Sequence, residues 1–385
     1  MIRLAALLVC CVVVSAAQEA RPYKDGRGLP STFEGPGREL PGPEDLREIL
    51  IGYYGPADDS HPEGGVLWQG ATLAVEEANR EGGYQGKPFR LVSRWSENPW
   101  RGGAALISRM ALVDRVWAVI GSIEGAGTHL AEQVVVKAFV PLVNPVATDR
   151  SIHTAGVPWM FSIVQGDDRH SVALAGGLSG QAIVILSATD HDSRAFCGKL
   201  KSACARAKVN IKLHLEFDPG RPELSELVRN AVNARPGAIA VVAGMRDSAR
   251  VVKLVRGERF EGLIAGSPLF GRTAFSDQAG AADEGALFPW VGEAAPAFRD
   301  SFIRRFGNRP DYAAACAYDS VRIVVAGIRK AGLNRARIRD ALAALPPYEG
   351  ASGRIEWDEF GQNRRPPVLA VIRSGRAVPA ARALR

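Results

Sequence analysis

Groups able to bind a small molecule or do chemistry concentrate in a few short stretches of the sequence. Residues 125–127 read Gly-Ala-Gly, and because they carry almost no side chain, backbone N–H groups of a helix that starts there can hold an anion. Thr148 adds a hydroxyl further along, residues 190–192 read Asp-His-Asp, and Cys197 follows. These residue types predict anion binding at 125–127. At 190–197 they suggest two further possibilities, metal binding and nucleophilic catalysis.

Residues 190–197 are a weak candidate for a metal site or a catalytic site. Consecutive residues after a strand rarely point at one metal ion, so we expect 190–192 to form a solvated loop with neither metal nor cofactor. A Cys197 nucleophile with His191 as its base lacks an orienting third group. A cysteine buried on a helix instead behaves as a small apolar residue. The sequence therefore predicts a protein that is not an enzyme.

The glycine-rich turn at 121–127 and Thr148 have alternative interpretations. The turn lacks G-x-G-x-x-G spacing and follows the third predicted strand, which argues against nucleotide binding. A tight turn without a ligand stays open, because glycine is common in turns. Thr148 can cap a helix that begins just after it, contact a ligand, or do both.

The elements around these residues place them at one edge of a sheet. Residues 116–120 form an apolar run too short for a helix, the turn opens on a helical pattern, and a second apolar run ends at Pro145. A strand, turn, helix and strand without a hairpin form a βαβ unit with parallel strands. The turn and residues 144–148 then lie at carboxyl ends of neighbouring strands, where open α/β sheets bind ligands. We expect a small ligand there that carries a carboxylate.

Strand and helix patterns alternate along the chain in two series, with a break near residues 164–168. Two doubly wound lobes explain this better than one very wide sheet. Helical patterns between residues 295 and 345 come too late to belong only to the second lobe, so we expect the chain to cross back to the first. Crossovers form a hinge beside an interlobe cleft. We expect them near residues 164–168, 287–293 and 345–349.

The first 47 residues differ in composition from the rest. Residues 4–14 are an uncharged apolar run, and Ser15 and Ala17 fit the small-residue rule for cleavage, so we expect residues 1–17 to be a secretory signal peptide. Cys10 lacks the small residue expected before a lipidated cysteine, which argues against a lipid anchor. Residues 18–47 contain five prolines and no apolar period, which predicts a flexible lead-in outside the core.

Overall composition limits the function classes. A chain of 385 residues is long for one domain and comfortable for two. Its formal charge of +7, or +6 without Arg3, is spread evenly, which argues against a nucleic-acid partner. Cleavage leaves three cysteines, and Cys197 and Cys204 are ~10 Å apart if they share a helix, so no disulfide framework is expected.

Several segments follow one another in a recognisable order between residues 49 and 376. They are IG at 51–52, GATLAVEEAN at 70–79 followed by GG at 82–83, VIGS at 119–122, PLVNPVATD at 141–149, DD at 167–168 and GRIEWDEFG at 353–361. In this order they resemble the type I periplasmic binding proteins of the leucine/isoleucine/valine-binding family. The resemblance implies an α/β fold of two Rossmann-like doubly wound lobes joined by a three-segment hinge. It implies a first lobe of residues 48–165 and 292–346 and a second of 166–291 and 347–385.

The resemblance also implies a function. Proteins of this family are exported soluble receptors that clamp a small solute between their lobes and deliver it to the membrane permease of an ABC transporter. The implied localisation is the periplasm after signal cleavage, with no nucleic acid, cofactor or membrane-spanning segment in the mature chain. A ligand-sensing subunit of the same fold, coupled to a signalling partner, is the alternative.

Family positions that hold the ligand's carboxylate and ammonium match residues of the first lobe here. They match Gly125 and Ala126 at the helix start after the third strand, and residues 146–148 after the fourth. The predicted ligand-binding set is Glu124, Gly125, Ala126, Val146, Ala147, Thr148, Asp192, Met245 and Ser267.

The second lobe departs from the family pattern. The acid that pairs with the ligand's ammonium matches about Pro268, and aromatics that close over the ligand match about Asp192 and Met245. Glu63 stands where the first loop often carries an aromatic. We therefore expect a small carboxylate-bearing solute, an amino acid or a derivative, with leucine-like ligands less favoured than in the parent family.

Overall fold

The computed structural model describes residues 33–383. The predicted signal peptide at 1–17 and residues 18–32 of the lead-in lie outside the described residues. Two α/β lobes make up the described chain, each built on a sheet flanked by helices. None of the helices within 33–383 is long and apolar enough to cross a membrane.

The first lobe begins with alternating strands and helices. They are β1 (Ile49–Tyr54), α1 (Gly65–Arg80), β2 (Phe89–Arg94), α2 (Gly103–Leu112), β3 (Val119–Gly121), α3 (Gly125–Ala138), β4 (Leu142–Asn144), α4 (Ser151–Thr154) and β5 (Met160–Ser162). The strands are all parallel, in the order β2-β1-β3-β4-β5. β3 and β4 are buried throughout and apolar except for Asn144, as expected of parallel strands covered by helices on both faces. The predicted βαβ unit is therefore confirmed.

The second lobe takes the middle of the chain. Its elements are α5 (Asp167–Gly177), β6 (Ala182–Ala188), α6 (His191–Arg206), β7 (Asn210–Phe217), α7 (Ser225–Asn233), β8 (Ala238–Val242), α8 (Met245–Gly257), β9 (Leu263–Gly266), α9 (Thr273–Ala279) and β10 (Leu287–Trp290). Two short 3₁₀ turns flank α9. β8 is buried at all five positions and lies inside the sheet, between β9 and β6.

The chain then returns to the first lobe and ends in the second. The last elements are α10 (Pro296–Phe306), α11 (Tyr312–Ala331), α12 (Arg335–Ala343), β11 (Tyr348–Gly350), β12 (Gly353–Ile355), β13 (Val368–Arg373), β14 (Arg376–Pro379) and α13 (Ala380–Ala383). β13 and β14 add antiparallel edge strands to the second sheet, whose order is β14-β13-β10-β9-β8-β6-β7. The sequence patterns missed β10, β11 and β14.

The return is fixed by packing of α11 on α1. Gly70 of α1 allows the close approach, since a Cβ there would lie 2.1 Å from the backbone oxygen of Ala314. Asp311 caps α11 by accepting hydrogen bonds from the N–H groups of Ala313 and Ala314. Residues of α11 therefore share a hydrophobic core with α1 and β1.

The third crossover lies later than predicted. Residues 348–363 pack against the first lobe, where Ile355 is fully buried in the core and Trp357 contacts the ring of Phe161. Asp319 of α11 holds this segment by accepting hydrogen bonds from the N–H groups of Ala351 and Ser352. The chain crosses between residues 363 and 368, so the expected crossover at 345–349 is wrong, as is the assignment of 348–363 to the second lobe.

The described end of the lead-in is also packed. Phe33 lies against the ring of Trp159 with centroids 4.7 Å apart, and Arg38 forms a 2.5 Å ion pair with Asp340 of α12. Asn334 donates hydrogen bonds from its side-chain amide to the carbonyl oxygens of residues 37 and 40. For residues 33–47 the expected flexible segment is therefore wrong: aromatic and charged residues among the prolines anchor it.

Candidate ligand-binding cleft

The carboxyl ends of the strands of both lobes face one cleft of about 710 Å³. The first lobe contributes loops after β2, β3 and β4, and the second contributes loops after β6, β8 and β9. This is the edge that the βαβ pattern predicted. A volume in the range of small-molecule pockets lets the cleft enclose an amino acid or a compound of similar size.

Eight of the nine predicted site residues line this cleft: Glu124, Ala126, Val146, Ala147, Thr148, Asp192, Met245 and Ser267. Pro268 and Glu63 line it as well, so the departures from the family pattern lie at the cleft wall. Gly125 is buried behind it and is not part of the wall. Whether these residues contact a ligand remains a prediction.

The N–H group of Gly125 is already used by the protein. It donates a 2.8 Å hydrogen bond to Oδ2 of Asp192, which comes from the first turn of α6 in the other lobe. The anion at this helix start is thus a carboxylate of the chain itself, and the expectation of a bare N–H at residue 125 is wrong. The N–H of Ala126 makes no hydrogen bond to any described residue, so one donor of the helix start remains open to the cleft.

The loop after β4 presents one side-chain hydroxyl to the cleft, whereas most of its backbone polar groups are already hydrogen-bonded. The side chain of Asn144 bonds the N–H groups of Val146 and Ala147 and the carbonyl of Ala147, so these two residues present mainly apolar surface. The hydroxyl of Thr148 has no hydrogen-bond partner among residues 33–383 and lies at the cleft wall. Thr148 does not cap α4, because Asp149 accepts the 2.8 Å bond from the N–H of Ser151 instead.

Carboxylates dominate the charge of the cleft. Six acidic side chains line it, at residues 63, 97, 124, 190, 192 and 247, against the two arginines 246 and 272. Burial, followed by the charge of Asp192, raises the pKa of Glu124 to about 7. Burial also raises the pKa of Asp192 to about 6, although the N–H of Gly125 opposes this. Oε1 of Glu124 and Oδ1 of Asp192 are buried and make no hydrogen bond within the described chain, so both can accept a bond from a ligand.

One wall of the cleft is an ion pair between the lobes. Nε of Arg272, after β9, lies 2.7 Å from Oδ2 of Asp311 at the start of α11, and both side chains are almost fully buried. The guanidinium also donates to the carbonyl oxygen of Glu63. Because Asp311 and Glu63 occupy Arg272, this arginine joins the lobes and is a poor partner for a ligand carboxylate.

A second interlobe contact involves the acid–histidine cluster. Asp190 caps α6 by accepting from the N–H of Ser193, and His191 reaches across the cleft, with Nε2 2.8 Å from Oδ2 of Asp149. Nε2 of His129, on α3, lies 3.0 Å from the same oxygen. The expected solvated loop at 190–192 is therefore wrong: each of its residues has a defined partner.

The protonation states at this contact follow from its hydrogen bonds. The bond to Asp149, with one to Glu132, raises the pKa of His129 to about 9. Burial alone raises the pKa of Asp149, but hydrogen bonds from His129, Ser151 and His191 outweigh burial and hold this pKa well below its usual range. At neutral pH the imidazolium of His129 therefore faces the carboxylate of Asp149 beside the cleft.

Cys197 is not paired with His191. Its Sγ lies 3.5 Å from Nε2 of His214, on β7, and burial raises the pKa of the thiol. The thiol form is a poor nucleophile, as the sequence interpretation expected. Cys197, Cys204 and Cys316, the three cysteines of the described chain, are all buried and unpaired.

Sequence patterns missed several lining residues. Residues 97–100, after β2, include Trp100, whose surface is 63% exposed at the cleft. These residues follow β2, which pairs in parallel with β1, so their position at the carboxyl end of a strand of the same sheet could have predicted them. Arg272 and Tyr312 meet at the cleft from opposite lobes, and no local pattern predicts such a pairing.

Comparisons with known proteins agree with this geometry. A family model described as periplasmic binding protein matches residues 54–377. An amino acid binding protein from Pseudomonas aeruginosa is 22% identical over 338 residues, covering 82% of this chain and 87% of that protein.

Two solved structures share the fold. LivJ, the substrate-binding protein of a branched-chain amino acid transporter from Streptococcus pneumoniae in complex with isoleucine, has a TM-score of 0.78 at 23% identity, covering 86% of this chain and 97% of that one. The leucine binding protein LivK from Thermotoga maritima has a TM-score of 0.79 at 20% identity, with the same coverage.

Proposed function

The chain belongs to the periplasmic binding protein family, and we propose that it is the exported solute-binding receptor of an ABC importer. It clamps one small solute between its lobes and hands it, chemically unchanged, to a membrane permease. The observation that carries the proposal is the cleft itself, where loops of both lobes converge around buried carboxylate oxygens that have no partner in the described chain.

The ligand carries an ammonium or similar cationic group. Glu124 and Asp192 each present a buried oxygen that a cationic donor can satisfy, and burying such an oxygen without a partner is costly. Glu124 comes from the first lobe and Asp192 from the start of α6, and together they take over the role of the family's acid, whose position is held here by Pro268.

The ligand also carries a carboxylate or another polar head. The free N–H of Ala126 and the hydroxyl of Thr148 are donors at neighbouring strand ends, and the positive end of the α3 dipole favours negative charge there. Met245, Val146 and Phe196 supply the apolar surface between the polar groups. An amino acid or a derivative with a polar side chain suits this combination better than a leucine-like one.

A thermal-shift screen identifies the ligand. The mature protein is tested against amino acids, their amides, short-chain acids and aromatic acids, and hits are measured by calorimetry. We expect amino acids or derivatives with an ammonium to bind and their N-acetylated forms to fail. Binding of the acids alone, with no preference for an ammonium, would contradict the role of Glu124 and Asp192. Turnover of the bound compound would contradict a receptor.

Export is proposed from the sequence of the first 17 residues. The protein recovered from the periplasmic fraction should begin at Gln18, in its free or cyclised form, when its intact mass is measured. A full-length chain retained in the cytosol would contradict the proposed localisation.

A further inference from the structure

Three metal-ligating side chains converge beside the cleft, and they come from both lobes. His129 lies on α3 and Asp149 follows β4 in the first lobe, while His191 is the first residue of α6 in the second. One ligand atom from each lies within 4.8 Å of the other two. The Nε2 atoms of both histidines approach the same atom, Oδ2 of Asp149, at 3.0 and 2.8 Å.

We propose that His129, Asp149 and His191 bind one divalent transition-metal ion, of which zinc is the probe, and that this ion ties the two lobes together. Two atoms bound tetrahedrally at ~2.0–2.1 Å from zinc stand roughly 3.3 Å apart. The two contacts to Oδ2 need to lengthen by roughly 0.3–0.5 Å to admit the ion, and the ligand atoms of the two histidines, which lie within 4.8 Å of each other, need to reach the same spacing. Three protein ligands leave one position to water.

The surroundings have the features of an outer coordination shell. Oε2 of Glu132 lies 3.5 Å from Nδ1 of His129, the nitrogen that does not face Asp149, and a carboxylate there orients a metal-bound imidazole. Glu132 is only 5% exposed, and its Oε1 makes no hydrogen bond within residues 33–383. The other oxygen of Asp149 is held at 2.8 Å by the N–H of Ser151. Nε2 of His129 also lies 2.9 Å from Oγ of Ser151, a contact that the ion would replace. Both Nε2 atoms and Oδ2 of Asp149 still face one centre.

The donor set selects the class of metal. Two imidazole nitrogens and one carboxylate suit zinc and neighbouring transition metals, whereas magnesium and calcium prefer oxygen ligands. Asp149 is nearly buried but His191 is exposed, so an ion can enter from the solvent side. Because His191 alone comes from the second lobe, the ion binds fully only when the lobes are closed.

The test is a zinc titration of the mature chain after treatment with a chelator. Calorimetry should show one saturable equivalent, and His129→Gln, Asp149→Asn and His191→Gln should each weaken binding about ten-fold or more, with a loss of 10- to 100-fold in Glu132→Gln. His214→Gln is the matched control, because His214 lies beside the Cys197 thiol and marks a rival zinc site. It should leave zinc binding unchanged. Far-UV circular dichroism in zinc-free buffer checks that each variant folds.

Two further measurements, the spectrum of the cobalt form and the radius of gyration, do not depend on the zinc affinities of the variants. The visible spectrum of the cobalt form should show nitrogen and oxygen ligation without a sulfur charge-transfer band. Zinc should reduce the radius of gyration of the wild type and leave that of His191→Gln unchanged. No saturable zinc binding, a thiolate band, or loss of zinc in His214→Gln but not in the three ligand variants would overturn the site. Equal compaction of His191→Gln would overturn its role between the lobes.

Discussion

Substitution of Gly125 by alanine tests whether closure brings Asp192 to the start of α3. A Cβ at residue 125 would lie 2.3 Å from Oδ1 of Asp192, about 1 Å closer than ordinary van der Waals contact allows. The nearest atom outside Asp192 is Cβ of Asp149 at 3.3 Å, a contact that a small shift can absorb. The methyl group therefore displaces the carboxylate and breaks the 2.8 Å hydrogen bond from the N–H of Gly125.

The magnitude follows from the type of bond. A hydrogen bond to a charged group contributes about 1.5–3 kcal/mol, and this one forms only when the lobes meet. Losing it lowers the ratio of closed to open protein by roughly 10- to 150-fold. Since the ligand binds to the closed form, the dissociation constant of Gly125→Ala should rise by the same factor.

Calorimetry with the best ligand of the screen measures this effect. Gly244→Ala is the matched control, because Gly244 also lies at the cleft and a Cβ there would meet nothing within 4 Å. Its affinity should stay within about two-fold of the wild type, well below the change that one charged hydrogen bond makes. If Gly125→Ala binds as tightly as Gly244→Ala, the contact between Asp192 and Gly125 does not form on closure and the reasoning fails.

Three further predictions concern the cleft and the core. Thr148→Ala should weaken ligand binding by about 1–2 kcal/mol, measured by calorimetry, while Thr148→Ser retains it, because only the hydroxyl is needed. Since the pKa of Glu124 is about 7 without ligand, affinity for an ammonium-bearing ligand should fall as pH drops below 7. Glu124→Gln should bind weakly and lose the fall centred near pH 7, keeping only the fall near pH 6 that Asp192 causes; a profile parallel to that of the wild type would contradict the assignment. Burial lowers the pKa of His153 to about 4 from its ordinary value of about 6.5, so the unfolded state takes up a proton first as pH falls. The stability contributed by the neutral ring is therefore present above pH 6.5 and lost as pH falls to 4. Denaturant titrations at pH 7 and 4 should show His153→Gln losing about 3 kcal/mol less than the wild type, and equal losses would contradict it.

The parts of the fold that the sequence predicted are those specified by local patterns. The run before Gly121, the small residues at 125–127 and the run ending at Pro145 together specify β3, α3 and β4, because each element is encoded within its own residues. Strand order then places their ends at one edge, so eight of nine predicted site residues line the cleft. The family profile over residues 54–377 confirms the resemblance read from the ordered segments.

The errors concern contacts between residues distant in sequence. Asp192 and Gly125 are 67 residues apart, and nothing near either one indicates that a carboxylate of the second lobe reaches a helix start of the first. The third crossover was misplaced for the same reason, because the hydrogen bonds of Asp319 to residues 351 and 352 span more than thirty residues. Side chains that meet only when two lobes face each other leave no periodic signal.

Small-angle scattering of the mature protein, first freed of bound solute and then saturated with the ligand of the screen, tests the central claim. Closure of two lobes on a small solute predicts a smaller radius of gyration with ligand, reversed when the ligand is dialysed away. An unchanged radius of gyration with a tightly bound ligand would contradict the account of a cleft that closes around its solute.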